Sequence, residues 1–169
     1  LDTYQWVAFT SPTGVKVFFE EMKKTKTDVR KMCNVKIAAI GKGTQKALEE
    51  RGLFPDLIPQ VYDGETLGRE LCQLCAGGEH ILIPRAAMGN QEIIKALSEK
   101  SDIVIDDIPT YDTFYETQEV IDQKKAMEAG EISCAVFTSA STVRGFVQAT
   151  PGLDYTKVRA ACIGKQTKA

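Results

Sequence analysis

The chain has 169 residues and 18.6 kDa, 43% hydrophobic and 26% charged, which suits a globular protein with one ample core or two small ones. A net charge of −2 and an isoelectric point near 5.5 carry no electrostatic footprint for nucleic acid, and the one dense charged run, residues 20–26, mixes signs as a solvated helix face does. No apolar run approaches the roughly 20 residues of a membrane span, so neither nucleic acid nor a membrane is expected as a partner.

Residues 6–9 (WVAF) form an apolar run of strand formers that ends at Thr10–Ser11; Pro12 and Gly14 then break it, and residues 15–22 take up helical spacing. A second strand spans 36–40 and closes at Gly41-Lys42-Gly43. Thr44 is placed to cap the next helix, which stops at Gly52. Residues 55–59 (PDLIP) read as a third short strand and 65–75 as a helix. A fourth strand spans 79–83 and ends at Pro84–Arg85; a helix over 91–100 and a strand over 102–105 follow. Residues 109–118 (PTYDTFYETQ) are polar and aromatic with neither period and read as a connection. Beyond them come a helix (119–128), a strand (133–137), a helix (142–149), a strand (158–163) and Thr167 at the start of one more helix. Strands alternating with short helices imply an α/β protein with parallel sheets covered on both faces. The expected organisation is a continuous lobe over 1–108, a connection over 109–118 and part of a second lobe over 119–169.

Two phrases recur in the same order. FTSPTGV at 9–15 matches FTSASTV at 137–143, and IAAIGKGTQKA at 37–47 matches RAACIGKQTKA at 159–169. One structural unit used twice explains this. In the second copy only Lys168 and Ala169 follow Thr167, so the second lobe is incomplete; the natural protein is expected to continue past Ala169 and to begin before Leu1.

Each repeated phrase lies where a strand of a parallel sheet leads into a helix, the place where such sheets bind ligands. Hydroxyls, unpaired N–H groups and the positive helix end there favour carboxylates or phosphates. The same residues also serve as plain helix caps and turn glycines. A nucleotide is less suited, because GKGT lacks the P-loop order and no GxGxxG follows a strand.

Five cysteines (Cys33, Cys72, Cys75, Cys134, Cys162) are an odd number, which fits a reducing cytoplasm better than a disulfide framework. Cys72 and Cys75 form a CxxC, but it lacks a second pair and the only histidine is His80, so helix packing is the simpler reading and no metal is expected. His80 opens a strand, the wrong end for a ligand site, and reads as structural. Asp106 and Asp107 are neighbours on a strand and point to opposite faces, which rules out a carboxylate dyad. Tyr111, in the connection, is the candidate catalytic group, since a phenol can donate a proton or a hydrogen bond. It serves equally as an aromatic plug.

The pieces WVAFTSPTGV, IAAIGKGTQKALEERGLFPDLIP, ILIPRA, IPTYDT, VFTSASTV and ACIGKQTKA, in that order, resemble the uroporphyrinogen-III synthases over nearly the whole chain. The resemblance implies two flavodoxin-like parallel-sheet lobes joined by a linker, with one lobe inserted between the halves of the other. It also implies a monomer and a cofactor-free lyase reaction on a small-molecule substrate. That reaction closes the linear tetrapyrrole hydroxymethylbilane to uroporphyrinogen III with inversion of ring D, through loss of the ring A hydroxyl and a spiro intermediate. The substrate carries eight carboxylates, and the protein's part is chiefly orientation. By the resemblance Tyr111 assists departure of the hydroxyl, and Ser11, Thr44, Ser139 and Thr167 are the substrate-binding hydroxyls. Lys42, Arg85 and Lys165 are added as carboxylate partners, with solvated surface charges as the alternative. A two-lobed anion-binding or sensory module that closes on a ligand without chemistry is the competing reading; it would keep the loops and not need Tyr111.

Overall fold

The computed structural model describes residues 1–115 and 120–168, apart from the side chains of Ile121, Lys165 and Gln166. The chain forms two units, Leu1–Thr113 and Phe114–Ala169.

The first unit is a parallel sheet of β1 (Trp6–Phe9), β2 (Lys36–Ala39), β3 (His80–Ala86) and β4 (Val104–Tyr111), in the order β2-β1-β3-β4. Central β1 is buried at every residue, as an unbroken apolar strand between two helical layers must be. Its side chains alternate. Trp6 and Ala8 pack with Leu67 and Leu71 of α3 (Gly64–Leu74) and Ile93 and Leu97 of α4 (Glu92–Ser98). Val7 and Phe9 pack with Val15 and Met22 of α1 (Pro12–Lys24) and Leu48 of α2 (Lys42–Glu49). Two apolar clusters therefore sandwich the sheet, which is the α/β architecture read from the sequence. Helices α3 and α4 approach so closely at Gly68 that a Cβ there would lie 2.7 Å from the Ala96 Cβ.

The CxxC belongs to this packing. The Cys72 thiol donates weakly to the Ala96 carbonyl at 3.6 Å, and burial raises its pKa. Cys75 is buried, and its thiol is pushed up to about 12 by burial first and by Glu79 second. Thiols held protonated are the opposite of what metal or redox chemistry uses.

Three details differ from the sequence reading. Residues 55–59 make a single parallel bridge, Ala38 to Leu57, instead of a strand, because Pro55 and Pro59 have no N–H for a ladder. The cap of α2 is Gly41, and Thr44 lies one turn inside the helix, 2% exposed. β2 ends so close to the helix that one residue makes the corner: Ile40 N–H still donates to the Phe9 carbonyl at 3.0 Å, and Gln45 N–H already donates to Gly41. Third, β4 runs on through Ile108 to Tyr111, into the stretch read as connection. Its partner β3 likewise continues past Pro84 to Ala86, so the ladder persists where charged residues and prolines interrupt the apolar run. Pro109 is tolerated because β4 is an edge strand.

Asp106 and Asp107 do point to opposite faces. Tyr4, packed beside the α1/α2 cluster, donates its phenol O–H to Asp106 Oδ2 at 2.6 Å, while Asp107 faces Arg85. The Asp106 bond, chiefly, raises the Tyr4 phenol above its ordinary value of 10.0. A raised phenol pKa means that the fold favours the neutral form. The stability it contributes is present below pH about 10 and is lost as pH rises through the folded value. Tyr4→Phe is therefore expected to cost about 1 kcal/mol at pH 8 and almost nothing at the highest pH where the protein still folds. Urea titrations of parent and variant at the two pH values measure this; a cost independent of pH would detach the effect from the bond.

The second unit opens with α5 (Ile121–Glu128), followed by β5 (Cys134–Phe137), α6 (Ala140–Ala149), β6 (Arg159–Cys162) and α7 (Lys165–Lys168). β5 and β6 pair in parallel, Cys134 to Arg159 through Phe137 to Cys162. The centre of this unit is aromatic: Phe137 meets Phe146 edge-on at 5.3 Å, and Tyr155 lies 6.0 Å beyond Phe146. Val136 and Ile163 remain exposed.

Candidate active site

The carboxyl ends of β1 and β4 converge on one pair of hydroxyls. β1 ends at Phe9, and Ser11 becomes the N-cap of α1 with an extended backbone (φ −162°, ψ 156°). Its Oγ accepts the Gly14 N–H at 2.9 Å, one of the donors a helix start leaves unpaired. The same Oγ lies 2.8 Å from the hydroxyl of Tyr111.

Tyr111 reaches it because β4 carries a bulge. Arg85 pairs with Pro109, but the next residue, Ala86, pairs with Tyr111, so Thr110 is left without a counterpart on β3. Uninterrupted alternation would send Tyr111 with Asp107 toward α3 and α4. The extra residue resets the alternation and turns it to the α1 side, which is what bulges beside functional sites do. The bulge is fastened twice: Thr110 Oγ1 donates to the Arg85 carbonyl at 3.2 Å, and Ala87 N–H donates to the Tyr111 carbonyl at 2.9 Å.

Ser11 Oγ accepts one N–H and can either accept from the phenol or donate to it. When it donates, the phenol proton is free for a ligand, and the serine stands ready to stabilise the phenolate left behind. Gly14 permits the contact: a Cβ there would lie 3.2 Å from both the Pro84 carbonyl oxygen and Ser11 Oγ.

The start of α2 adjoins this pair. A Cβ on Gly43 would lie 3.5 Å from Pro12 Cγ, which puts the two helix starts side by side. α2 has no side-chain cap, so its first N–H groups lack a side-chain acceptor, and the exposed Lys42 stands beside them. Thr44, by contrast, is packed inside. Arg85 is neither a solvated charge nor a free carboxylate receptor. It is 5% exposed, and its Nε and Nη2 bind the two Asp107 oxygens at 2.6 and 2.7 Å. Nη1 donates to the carbonyls of Ala86 and Gly89 at 3.2 and 3.0 Å, so the guanidinium ties the loop after β3 to β4.

The second unit repeats the corner. Ser139 caps α6 with φ −162° and ψ 159°, within a few degrees of Ser11, and forms a capping box with Thr142. Ile163 N–H donates to the Phe137 carbonyl at 3.0 Å, as Ile40 does to Phe9. Thr167 is 8% exposed, the counterpart of Thr44, and its N–H and that of Lys168 bond back to the Gly164 carbonyl. The side chain of Lys165 lies outside the described residues. Of the residues singled out, Ser11 and Tyr111 touch, Lys42 and Thr44 lie on the adjoining helix, and Ser139 and Thr167 share the second corner. Arg85 is spent on Asp107. Sequence reasoning missed the Ser11–Tyr111 contact, the bulge and the Asp107 pairing; Pro109 and the polar residues of 106–112 hide a strand.

The whole chain, residues 1–169, matches the family model described as Uroporphyrinogen-III synthase HemD. The chain belongs to the uroporphyrinogen-III synthase family. It is 34% identical over 164 residues to the porphyrin biosynthesis protein HemD of Ruminiclostridium josui, covering 97% of this chain and 32% of that one. The uroporphyrinogen-III synthase of Chlorobaculum parvum is 25% identical over 170 residues, covering 99% of this chain and 69% of that one. A mutant uroporphyrinogen III synthase from the extremely thermophilic bacterium Thermus thermophilus shares the fold with a TM-score of 0.67 at 18% identity, over 96% of this chain and 66% of that one. The chain thus spans about a third of the first of these relatives and two thirds of the solved synthase. Among the described residues no helix is long and apolar enough to cross a membrane, and no group of three or more His, Cys, Asp or Glu could hold a metal ion.

Proposed function

We propose that this chain carries the uroporphyrinogen-III synthase reaction, cyclising hydroxymethylbilane with inversion of ring D, and that each unit is a flavodoxin-like lobe. The observation that carries the reading is the Ser11–Tyr111 pair at 2.8 Å, set at a helix start in a chain that matches the HemD family from end to end. Tyr111 donates its proton to the ring A hydroxyl, which leaves as water, and the Ser11 hydroxyl keeps its own proton and stabilises the phenolate by a hydrogen bond. The pyrrole nitrogens supply the electron pair that expels the hydroxyl. Re-aromatisation of the last pyrrole after closure releases a proton, which restores the phenol.

In the first unit, carboxylate arms are met by the start of α2, which lacks a side-chain cap, together with Lys42; the second unit repeats this phrase with Ser139 and Lys165 as its own carboxylate partners. Thr44 and Thr167 shape these corners from inside. Arg85 acts on the substrate only through Asp107 and the loop it fastens. The rest of the catalysis is orientation, holding the folded chain so that inverted closure outruns plain closure.

The test is a coupled assay on the complete gene product with freshly generated hydroxymethylbilane, scoring the isomers formed. Type III product in excess of type I is expected. Type I alone, which forms without enzyme, would overturn the synthase reading in favour of a ligand-binding module.

A further inference from the structure

Tyr62 owes its position to a glycine at the mouth of a strand. Gly41 has an extended backbone (φ 175°, ψ −177°) that any residue adopts, so its conformation does not call for glycine. Space does. A Cβ at 41 would lie 3.0 Å from Tyr62 Cγ, 3.2 Å from its Cβ and 3.3 Å from Cδ2. Glycine at the corner therefore lets Tyr62 lie against the end of β2.

The tyrosine is also presented rigidly. Asp63 N–H donates to the Val61 carbonyl at 2.8 Å, which closes a three-residue turn with Tyr62 at its apex. Asp63 then caps α3 by accepting the Thr66 N–H at 2.7 Å. Despite this anchoring Tyr62 stays 53% exposed, next to a Val61 that is 58% exposed. Burial is not what the ordered turn achieves.

The neighbourhood gives the exposure a use. From Tyr62 a path of neighbours runs to Gly41, then along α2 to Gly43, which faces Pro12, and from there to adjoining Ser11 and the Tyr111 hydroxyl. Along that path the protein offers hydroxyls, free N–H groups and the Lys42 ammonium, all of them partners for carboxylates. Tyr62 adds a broad aromatic surface. A linear tetrapyrrole needs both kinds of partner, carboxylate receptors for its arms and an apolar platform for its rings.

We propose that Tyr62 is a substrate-binding residue whose ring packs against a pyrrole of the bilane, in a subsite formed with Lys42 at the start of α2. This rests on the synthase reading above. In the complete gene product, Tyr62→Ala is expected to raise KM for hydroxymethylbilane about tenfold with kcat within twofold. Tyr62→Phe should match the parent, and Gly41→Ala, which displaces the ring, should follow Tyr62→Ala. Equilibrium binding of uroporphyrinogen III, read by quenching of protein fluorescence, should weaken by the same factor in Tyr62→Ala. Tyr111→Phe should leave that binding nearly unchanged.

The subsite and the reaction fail in different ways. A parent that makes only type I product, yet whose binding weakens in Tyr62→Ala, would refute the reaction and keep the subsite. An active parent with KM and binding unchanged in Tyr62→Ala would refute the subsite alone. A loss of kcat together with a lowered urea midpoint would make Tyr62 a packing residue and overturn the inference.

Discussion

Replacing Arg85 with methionine is expected to lower the stability of the full chain by about 3 kcal/mol, and adding Asp107→Leu should recover most of that loss. The guanidinium is buried and its Nε and Nη2 bind both Asp107 oxygens, a side-on fork that lysine cannot reproduce. Removing one partner of a buried pair strands the other charge, at about 3–5 kcal/mol. Asp107 keeps 32% of its side chain accessible, which places the cost at the low end. Replacing both partners by apolar groups is often close to neutral, hence the recovery. It should be incomplete, because the Ala86 and Gly89 carbonyls still lose the Nη1 donor. Urea denaturation of the three proteins measures the cycle. A double variant as unstable as the single one would place the damage at the carbonyls, and a single variant equal to the parent would refute the structural role altogether.

The same residue shows what the sequence could and could not convey. ILIPRA announces a strand ending in a cation, and a cation at the ligand end of a sheet invites a carboxylate. The carboxylate it meets is its own neighbour across β3 and β4, because β4 continues beyond the apolar DIVI. Strand continuation there rests on ladder hydrogen bonds, which composition does not register. Apolar periodicity, in contrast, reported the layers faithfully. WVAF, KIAA and the Leu67/Leu71 and Ile93/Leu97 spacings all pack as the pattern requires, since burial on two faces leaves little freedom.

Repetition was the most informative signal. FTS followed by a small or proline residue produces the same N-cap at Ser11 and Ser139, with backbone angles differing by 3° in ψ alone (159 against 156). The IGK phrase reproduces the bond from isoleucine to the strand's phenylalanine. Short phrases repeat when each residue has a backbone duty, and these do. What no phrase encoded is the one-residue bulge at Thr110. Without it PTYDT would present Thr110 where Tyr111 stands, and so the phenol could be singled out by type but not by partner.

Tyr111→Phe is expected to lower kcat about 100-fold with KM within threefold, the largest catalytic effect of any single hydroxyl deletion in the chain. Positioned general acids contribute roughly 10²–10⁴, and a substrate whose own pyrroles push out the leaving hydroxyl draws on the lower part of that range. The phenylalanine keeps the ring and its packing, so stability should hardly change. Ser11→Ala removes the partner of the phenolate and should cost about tenfold in kcat, together with about 1 kcal/mol of stability from the lost cap of α1. The decisive quantity is the double variant. If Ser11 acts through Tyr111, which it touches at 2.8 Å, then Ser11→Ala adds little once the phenol is gone, and the two losses are far from additive. Fully additive losses would make Ser11 an independent ligand of the substrate. Equal rates for Tyr111→Phe and the parent would remove the phenol from the mechanism and leave orientation, with the electron push of the substrate, to account for the whole reaction.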